Sequence, residues 1–215
     1  MTQAAARPRK SDLTRGRILD AAFGEIYRQG FQAASVDAIL ARAGVTKGAL
    51  YHHFPSKADL GRAVVSEVIA GLVVERWSGR LLAQPADPLS ALQDVLRHRI
   101  AEARPAEAEL GCPLNNIAQE MSPIDGEFRR RIDAAYERWI GLFAGALEAG
   151  RRAGVVRAEV DPRRVATFLV SAIEGSYSLA KGQQDLAVLQ SNLGVLVEYL
   201  EGLRQDGTTE RRDDG

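Results

Sequence analysis

The strongest constraint on the fold lies in Ser35–Leu60, which combines helix caps, a glycine turn and short apolar repeats. Ser35 is suited to cap a helix, because its hydroxyl can accept a hydrogen bond from a free backbone N–H. Gly44 follows that helix and fits a left-handed helix end, which other residues adopt only at a steric cost. Thr46 is suited to cap a second helix that ends near His53. The segment therefore predicts two short helices joined by a tight turn.

This arrangement is typical of a helix-turn-helix, whose second helix enters the major groove of DNA. Lys47 and Lys57 carry positive charge that suits phosphates. Thr46, Tyr51 and His52 offer hydrogen bonds to phosphates or to base edges. The residues alone leave a second interpretation open, in which the segment is an ordinary helical hairpin with a solvated polar face.

The pattern extends beyond the two helices. It comprises Thr14-Arg-Gly-Arg-Ile-Leu-Asp-Ala-Ala-Phe, Gly30-Phe31, Ser35-Val36, the run from Ala43 to Phe54, and Ser56-Lys57. Thr14 to Leu60 thereby resembles the DNA-binding domain of the TetR family of bacterial transcriptional regulators. The resemblance implies a three-helix DNA-binding head. The residues that it places at the DNA surface are Ser35, Thr46, Lys47, Gly48, Tyr51, His52 and Lys57.

Composition predicts the fold class of the remaining chain. The 215 residues are 46% apolar, which can fill a sizeable core, and strand-like alternation is missing. We expect an all-α protein: the three-helix head followed by a helical regulatory and dimerisation domain. The predicted parts are a flexible basic tail (1–11), the DNA-binding domain (12–57), the ligand-binding and dimerisation domain (58–205) and a disordered tail (206–215).

Net charge is zero, but it is unevenly distributed. Residues 1–60 hold nine Lys or Arg and five Asp or Glu, whereas the remaining 155 residues hold 19 and 23. The positive part therefore coincides with the helix-turn-helix, as DNA binding requires. Chance is a competing explanation for an asymmetry of four charges.

Apolar periodicity and caps predict the helices. The first runs from about Leu13 to Gln29, where Gly30 ends it. The later predicted helices are Ser56 to Leu82, Leu89 to Arg104, Gly111 to Met121, Asp125 to Arg152, Asp161 to Gly182, and Asp185 to Leu203.

The body resembles the regulatory domain of one TetR subgroup, through Gly111-Cys112-Pro113-Leu114-Asn115-Asn116-Ile117-Ala118 and Ala172-Ile173-Glu174-Gly175. This resemblance implies a homodimer, made by the last two long helices, and a ligand cavity in each subunit. Those two helices carry wide apolar faces, which are compatible with a dimer and with an intrachain core. A dimer also suits the predicted DNA binding, since two heads combine their energies on a palindromic site.

Aromatic and polar side chains of the middle helices are candidates for contact with a small-molecule effector. They are Trp77, Cys112, Asn115, Asn116, Trp139, Phe143, Phe168 and Tyr177. Aromatic residues at helical spacing are more often plain core. The adjacent Asn115 and Asn116 are better candidates, because a buried amide needs partners. We expect the effector to shift the population towards dimers that release DNA.

The sequence leaves two other functions open. Cys112 lies near a helix start, where a thiolate is favoured, so a redox or electrophile sensor is an alternative function. A non-specific DNA-architectural protein is another. No catalytic triad, phosphate-binding loop or metal-ligand spacing points to an enzyme, a cofactor or a metal. One cysteine, no signal sequence and no membrane-spanning run lead us to expect a cytoplasmic protein without a membrane partner.

Overall fold

The computed structural model describes residues 10–81 and 87–205. These residues form an all-α structure, as predicted. Its elements in chain order are α1 (Lys10–Gln29), α2 (Val36–Ala43), α3 (Lys47–His53), α4 (Lys57–Ala63), a π-helical segment (Val64–Ile69), α5 (Ala70–Leu81), α6 (Pro88–Glu102), α7 (Pro105–Leu110), α8 (Pro113–Met121), α9 (Gly126–Arg152), α10 (Pro162–Gln183) and α11 (Leu186–Glu201).

Most predicted helices are confirmed to within a few residues, and three features differ. Helix α1 begins at Lys10, three residues before the predicted start. The predicted helix after Ser56 contains a π-helical turn, which changes the apolar spacing too little to be recognised in the sequence. Helix α7 was not predicted, because Pro105 was interpreted as the end of α6 rather than as the first residue of a new helix.

The predicted tails fall almost entirely outside the described residues. Lys10 and Ser11 are the exceptions, and both belong to α1. The contacts divide the chain into two compact units, residues 1–73 with 112–136, and residues 74–111 with 137–215. Helix α8 therefore belongs to the same unit as the helix-turn-helix. The domain boundary after residue 57 stays a prediction.

In the first unit, α1 contacts α2, α3, α4 and the π-helical segment. Its apolar stripe is buried, with Ile18 and Ala22 fully covered. Ile39 of α2, Leu50 of α3 and Leu60 of α4 are also buried. Burial of the leucine and isoleucine side chains, each contributing about 1.5–3 kcal/mol, holds the short helices on α1.

In the second unit, α11 packs against α6, α7 and α10, and α7 packs against α10. Leu89 and Leu92 of α6 and Leu189 and Leu193 of α11 are buried. The side-chain amide of Gln93 donates to the carbonyl of Val197 (3.1 Å) and to Glu201 (3.0 Å), which fixes α6 against α11. Among the described residues, the helices are too short or too polar to cross a bilayer.

Gly61 allows α4 to pack closely against two aromatic rings. A Cβ at this position would lie 2.4 Å from Phe31 and 2.8 Å from Phe128, whose rings contact each other with centroids 4.8 Å apart. Gly71 lies in α5, and a Cβ there would meet no heavy atom within 4 Å beyond its own stretch of helix.

We expect Gly61→Ala to destabilise the protein by about 1–3 kcal/mol, because the added methyl group overpacks this aromatic contact. Gly71→Ala is the matched control, and it should raise stability by about 0.5–1 kcal/mol through the better helix propensity of alanine. Urea denaturation measures both effects. Equal midpoints for the two variants would contradict the close packing at Gly61.

Candidate functional site

The turn between α2 and α3 is held by caps at both ends. The Ser35 hydroxyl accepts the Ala38 N–H (3.3 Å) at the start of α2. Gly44 ends α2 with φ of 62°, a left-handed conformation that favours glycine. The Arg17 guanidinium of α1 donates to the carbonyl oxygens of Ala43 and Gly44, so α1 fixes the turn from behind.

Helix α3 is anchored by its apolar side. The Thr46 hydroxyl accepts the Ala49 N–H (3.2 Å), which confirms the predicted second cap. Leu50 is fully buried, and Phe54 at the C-terminal end of α3 is buried as well. The opposite side of the helix is consequently turned away from the core.

Six of the seven predicted DNA-contacting residues have exposed side chains or, at Gly48, exposed backbone: Ser35, Thr46, Lys47, Gly48, Tyr51 and His52. The Tyr51 side chain is 39% exposed, so it is accessible to a partner outside the protein. A Cβ at Gly48 would meet no atom nearer than the Thr46 hydroxyl at 4.0 Å. The protein itself therefore leaves room for a larger residue at this point.

Lys57 differs from the other six. It is half-buried at the start of α4, and its ammonium group donates to the carbonyl oxygen of Gln32 (2.9 Å). The same ammonium lies 5.2 Å from the centre of the Phe31 ring, within range of a cation–π interaction. Lys57 is thus tied to the turn between α1 and α2.

Two ion pairs brace the helices behind this surface. Arg15 of α1 makes two hydrogen bonds to Glu67 of the π-helical segment, the longer at 2.8 Å. These bonds lower the pKa of the Glu67 carboxyl and raise that of the Arg15 guanidinium. The Arg15 guanidinium also lies 4.9 Å from the centre of the Phe54 ring, so the same side chain touches the end of α3.

The second ion pair joins Arg62 of α4 to Asp125, which precedes α9 (2.7 Å). Asp125 also caps α9 by accepting the N–H groups of Glu127 (2.8 Å) and Phe128 (3.0 Å). The Phe128 N–H, followed by the Arg62 guanidinium, lowers the pKa of the Asp125 carboxyl. This pair connects α4, the helix after the helix-turn-helix, with the segment that follows α8.

In the second unit, three of the predicted effector-contacting residues form one buried aromatic cluster. Trp77 stacks on Trp139 with ring centroids 5.2 Å apart, and Phe143 meets both rings edge-on. All three side chains are almost fully buried. The indole N–H of Trp139 has no hydrogen-bond acceptor among the described residues.

Tyr177, a fourth predicted residue, lies in a polar cluster of the same unit. Its hydroxyl donates to Glu107 (3.3 Å) and accepts from Arg76 (3.3 Å) and Arg99 (3.4 Å). Arg99 and Arg76 also form ion pairs with Glu107, and the distance between Arg76 and Glu107 is 3.4 Å. Burial raises the pKa of the Tyr177 phenol, so it stays neutral at physiological pH.

Sequence reasoning missed Arg76, Arg99 and Glu107 in this cluster. Glu107 follows Pro105 by two residues at the start of α7, a position typical of a capping box. That local signal predicts the helix, but the contact with Tyr177 spans 70 residues and has no signature in the sequence.

The other four predicted residues lie elsewhere. Phe168 is on the surface of α10, 49% exposed and in contact with Tyr199 of α11. Cys112 is buried at the start of α8 in the first unit, and Asn115 and Asn116 follow it, both half-buried. The eight candidates are therefore divided between the two units.

Asn116 lines a crevice of about 10 Å³ between α8 and α1, together with Gly30 and Glu120. That volume holds about one water molecule, so the crevice has no room for an organic effector. Among the residues that the structure describes, no group of His, Cys, Asp and Glu side chains could hold a metal ion.

Comparisons with known proteins agree with this architecture. Residues 18–64 match the family profile described as bacterial regulatory proteins, tetR family. Residues 88–192 match the profile of the C-terminal domain of LmrA/YxaF-like transcriptional regulators. The chain is 38% identical over 204 residues to the HTH-type transcriptional regulator AcrR of Shigella flexneri, covering 87% of this chain and 92% of that protein.

The chain belongs to the TetR family. It is therefore a transcriptional regulator with an N-terminal helix-turn-helix. It is also 28% identical over 172 residues to the HTH-type transcriptional repressor DhaR of Mycobacterium sp. (strain GP1), covering 80% of this chain and 84% of that protein. A crystal structure of a TetR regulator from Chloroflexus aurantiacus J-10-FL is similar in fold, with a TM-score of 0.78, 27% identity, and coverage of 92% of this chain and 99% of that one.

Proposed function

We propose that this TetR-family regulator is a dimeric repressor, which binds a palindromic operator through α3 and releases it when a small organic effector binds the second unit. The observation that carries the proposal is the exposed face of α3, which combines Lys47, Tyr51 and His52 with a bare backbone at Gly48. Its action on an operator implies a cytoplasmic location.

The proposed division of roles on this face follows from side-chain chemistry. The Lys47 ammonium, at the N-terminal end of α3, suits phosphate oxygens on either side of a groove. The hydroxyls of Ser35 and Thr46 already accept one N–H each in their own helices, and a hydroxyl can still donate to a phosphate. Tyr51 and His52 reach outward and can meet base edges or phosphates.

Gly48 supports a close approach of the α3 backbone to DNA. A Cβ has room there in the protein alone, so the absence of a side chain is not required by the fold. We infer that the DNA complex requires a glycine at position 48, because the DNA then occupies the space of a side chain. Sequence preference then depends on the few longer side chains around it and on where the dimer holds the two heads.

We expect Gly48→Ala to weaken operator binding about tenfold or more, a loss of about 1.4 kcal/mol or more, because the methyl group would lie between backbone and DNA. Stability should stay equal or rise slightly, since alanine favours a helix. Gly71→Ala, another Gly-to-Ala change in open space, is the control. Both are measured on a duplex selected by the wild-type protein from random sequences. Unchanged affinity in Gly48→Ala would argue against α3 as the reading helix.

The proposed dimer is formed by α10 and α11. Both helices expose large apolar side chains: Phe168 and Leu179 on α10, and Val195 and Tyr199 on α11. A Cβ at Gly175 of α10 or Gly194 of α11 would meet no atom within 4 Å. Exposed apolar side chains beside the exposed Gly175 and the half-buried Gly194 suit close packing of the same two helices from a second copy.

Val195→Glu should convert the dimer into a monomer, because it would bury a charge inside the proposed interface. Val195 is 59% exposed in the single chain, so its own fold should tolerate the change. Ile124→Glu is the control, since Ile124 is 62% exposed in the first unit. Sedimentation velocity at micromolar protein concentration measures the oligomeric state of each protein. A wild-type monomer or a dimeric Val195→Glu variant would contradict the proposed interface.

The proposed effector site lies in the second unit, near the aromatic cluster and the Tyr177 polar cluster. A buried indole N–H without an acceptor costs about 1–3 kcal/mol, which a ligand acceptor could recover at Trp139. Rings of Trp77 and Phe143 beside it offer an apolar wall. Effector binding would then shift the population of dimers away from the form whose heads match the half-site spacing.

Both tryptophans of the chain belong to the aromatic cluster, so intrinsic fluorescence reports on the proposed effector site. We expect compounds that change this fluorescence to raise the operator dissociation constant at least tenfold. Operator release is followed by fluorescence anisotropy of a labelled duplex. Compounds that bind and quench the tryptophans yet leave operator affinity unchanged would refute effector-controlled release.

The two alternative functions receive no comparable support. Cys112 is buried, whereas reactive cysteines are generally at least partly exposed, which does not favour a redox or electrophile sensor. Membership of the TetR family describes a transcriptional regulator rather than a non-specific architectural protein.

A further inference from the structure

Glu120 connects the two parts of the chain that match different family profiles. It lies on α8, within residues 88–192, and its carboxylate accepts the N–H groups of Phe31 (2.8 Å) and Gln32 (2.7 Å), within residues 18–64. Each carboxylate oxygen takes one of these hydrogen bonds. The contact is contained in the first compact unit, so α8 of the regulatory segment directly holds the DNA-binding head.

The turn between α1 and α2 is shaped to receive this carboxylate. Gly30 has φ of +82°, and the following two N–H groups point to the same side. Successive N–H groups in such a turn form a concave anion site. A Cβ at Gly30 would lie only 3.1 Å from a Glu120 oxygen, so the glycine also makes room for the close approach. Hydrogen bonds to a charged acceptor are about twice as strong as neutral ones.

The same turn is also held by Lys57, one of the predicted DNA-contacting residues. The peptide carbonyl of Gln32 accepts from the Lys57 ammonium at 2.9 Å, while its peptide N–H donates to Glu120. The Lys57 ammonium also faces the Phe31 ring. The backbone of Gln32 therefore links the two side chains: its N–H is bonded to the Glu120 carboxylate and its carbonyl to the Lys57 ammonium.

The face of α8 that carries Glu120 is turned towards α1. Asn116 and Glu120 are four residues apart, so they share one helix face, and both line the water-sized crevice against α1. A displacement of α8 would pull directly on the turn through the two Glu120 hydrogen bonds. The Arg62–Asp125 ion pair is a separate link in this unit and does not involve Glu120.

We propose that Glu120 is a positioning residue, which holds the α1–α2 turn and Lys57 in the arrangement that binds the operator and couples α8 to operator affinity. This inference rests on the proposed function, because it requires a specific operator. Coupling is reciprocal, so a helix that changes operator affinity must itself respond when the operator binds. The operator duplex can therefore serve as the probe without knowledge of the effector.

The test compares hydrogen exchange of the full-length protein with and without the selected duplex. The variant is Glu120→Gln, which keeps the shape of the side chain and removes its charge. Asp133→Asn is the control: it removes one exposed carboxylate from the same unit and leaves the turn untouched. Thermal unfolding is measured for all three proteins, so that a loss of stability is recorded separately.

In the wild type and in Asp133→Asn, we expect operator binding to slow exchange at Phe31 and Gln32 and to change exchange in α8. In Glu120→Gln, exchange at the turn should be faster, operator affinity about three- to tenfold weaker, and the response of α8 to the operator lost. The loss of this response is the decisive result, because a side chain with a purely structural role would lower stability and leave the response intact.

Two outcomes would overturn the inference. One is a Glu120→Gln variant whose α8 still responds to the operator, whether or not its stability falls. The other is a wild-type protein that binds a selected duplex while exchange in α8 stays unchanged. A wild-type protein that selects no duplex would instead refute the proposed function, and this inference with it.

Discussion

Helix α3 is only seven residues long, too short to be stable in water by itself, so the proposed DNA-facing surface depends on the burial of Leu50 and on the packing of α3 against α1. Leu50 and the buried Phe54 at the end of α3 together fix which face of α3 is exposed. Arg17 adds a second constraint by holding the carbonyls of the preceding turn. The position of the proposed DNA-facing surface is therefore set by α1 as well as by α3, and a movement of α1 would displace this surface.

The ends of the first helices could be predicted because each is determined by local chemistry. Ser35, Gly44 and Thr46 act within three or four residues of their own positions, and the structure has each of them in its expected role. The π-helical segment was not predicted, since its apolar spacing differs little from that of an α-helix. Helix α7 was missed because proline serves equally well as a helix start and as a helix stop.

The candidate effector residues show the limit of sequence reasoning more clearly. Large aromatic side chains predict a shared site for Trp77, Trp139 and Phe143, and burial does bring these three together. The same reasoning predicts Phe168, which lies on the surface, because periodicity does not distinguish a core face from an exposed face. Asn116 is predicted as a polar ligand contact, whereas it lines a water-sized crevice beside α1. The positions of Phe168 and Asn116 are decided by how the helices pack, which the neighbouring residues in the sequence do not determine.

The small residues Gly48 and Ala49 at the start of α3 would also explain how contacts distant from the DNA could control its binding. A reading helix with few long side chains makes few base contacts, so a large share of affinity must come from phosphate contacts and from correct placement of the head. Lys57 is proposed as one such contact, and its ammonium is oriented by the carbonyl of Gln32. In the proposed symmetric dimer every positioning contact would occur twice, so the factor by which one head loses affinity would be squared for the dimer. A single carboxylate such as Glu120 would then affect operator affinity measurably without touching DNA.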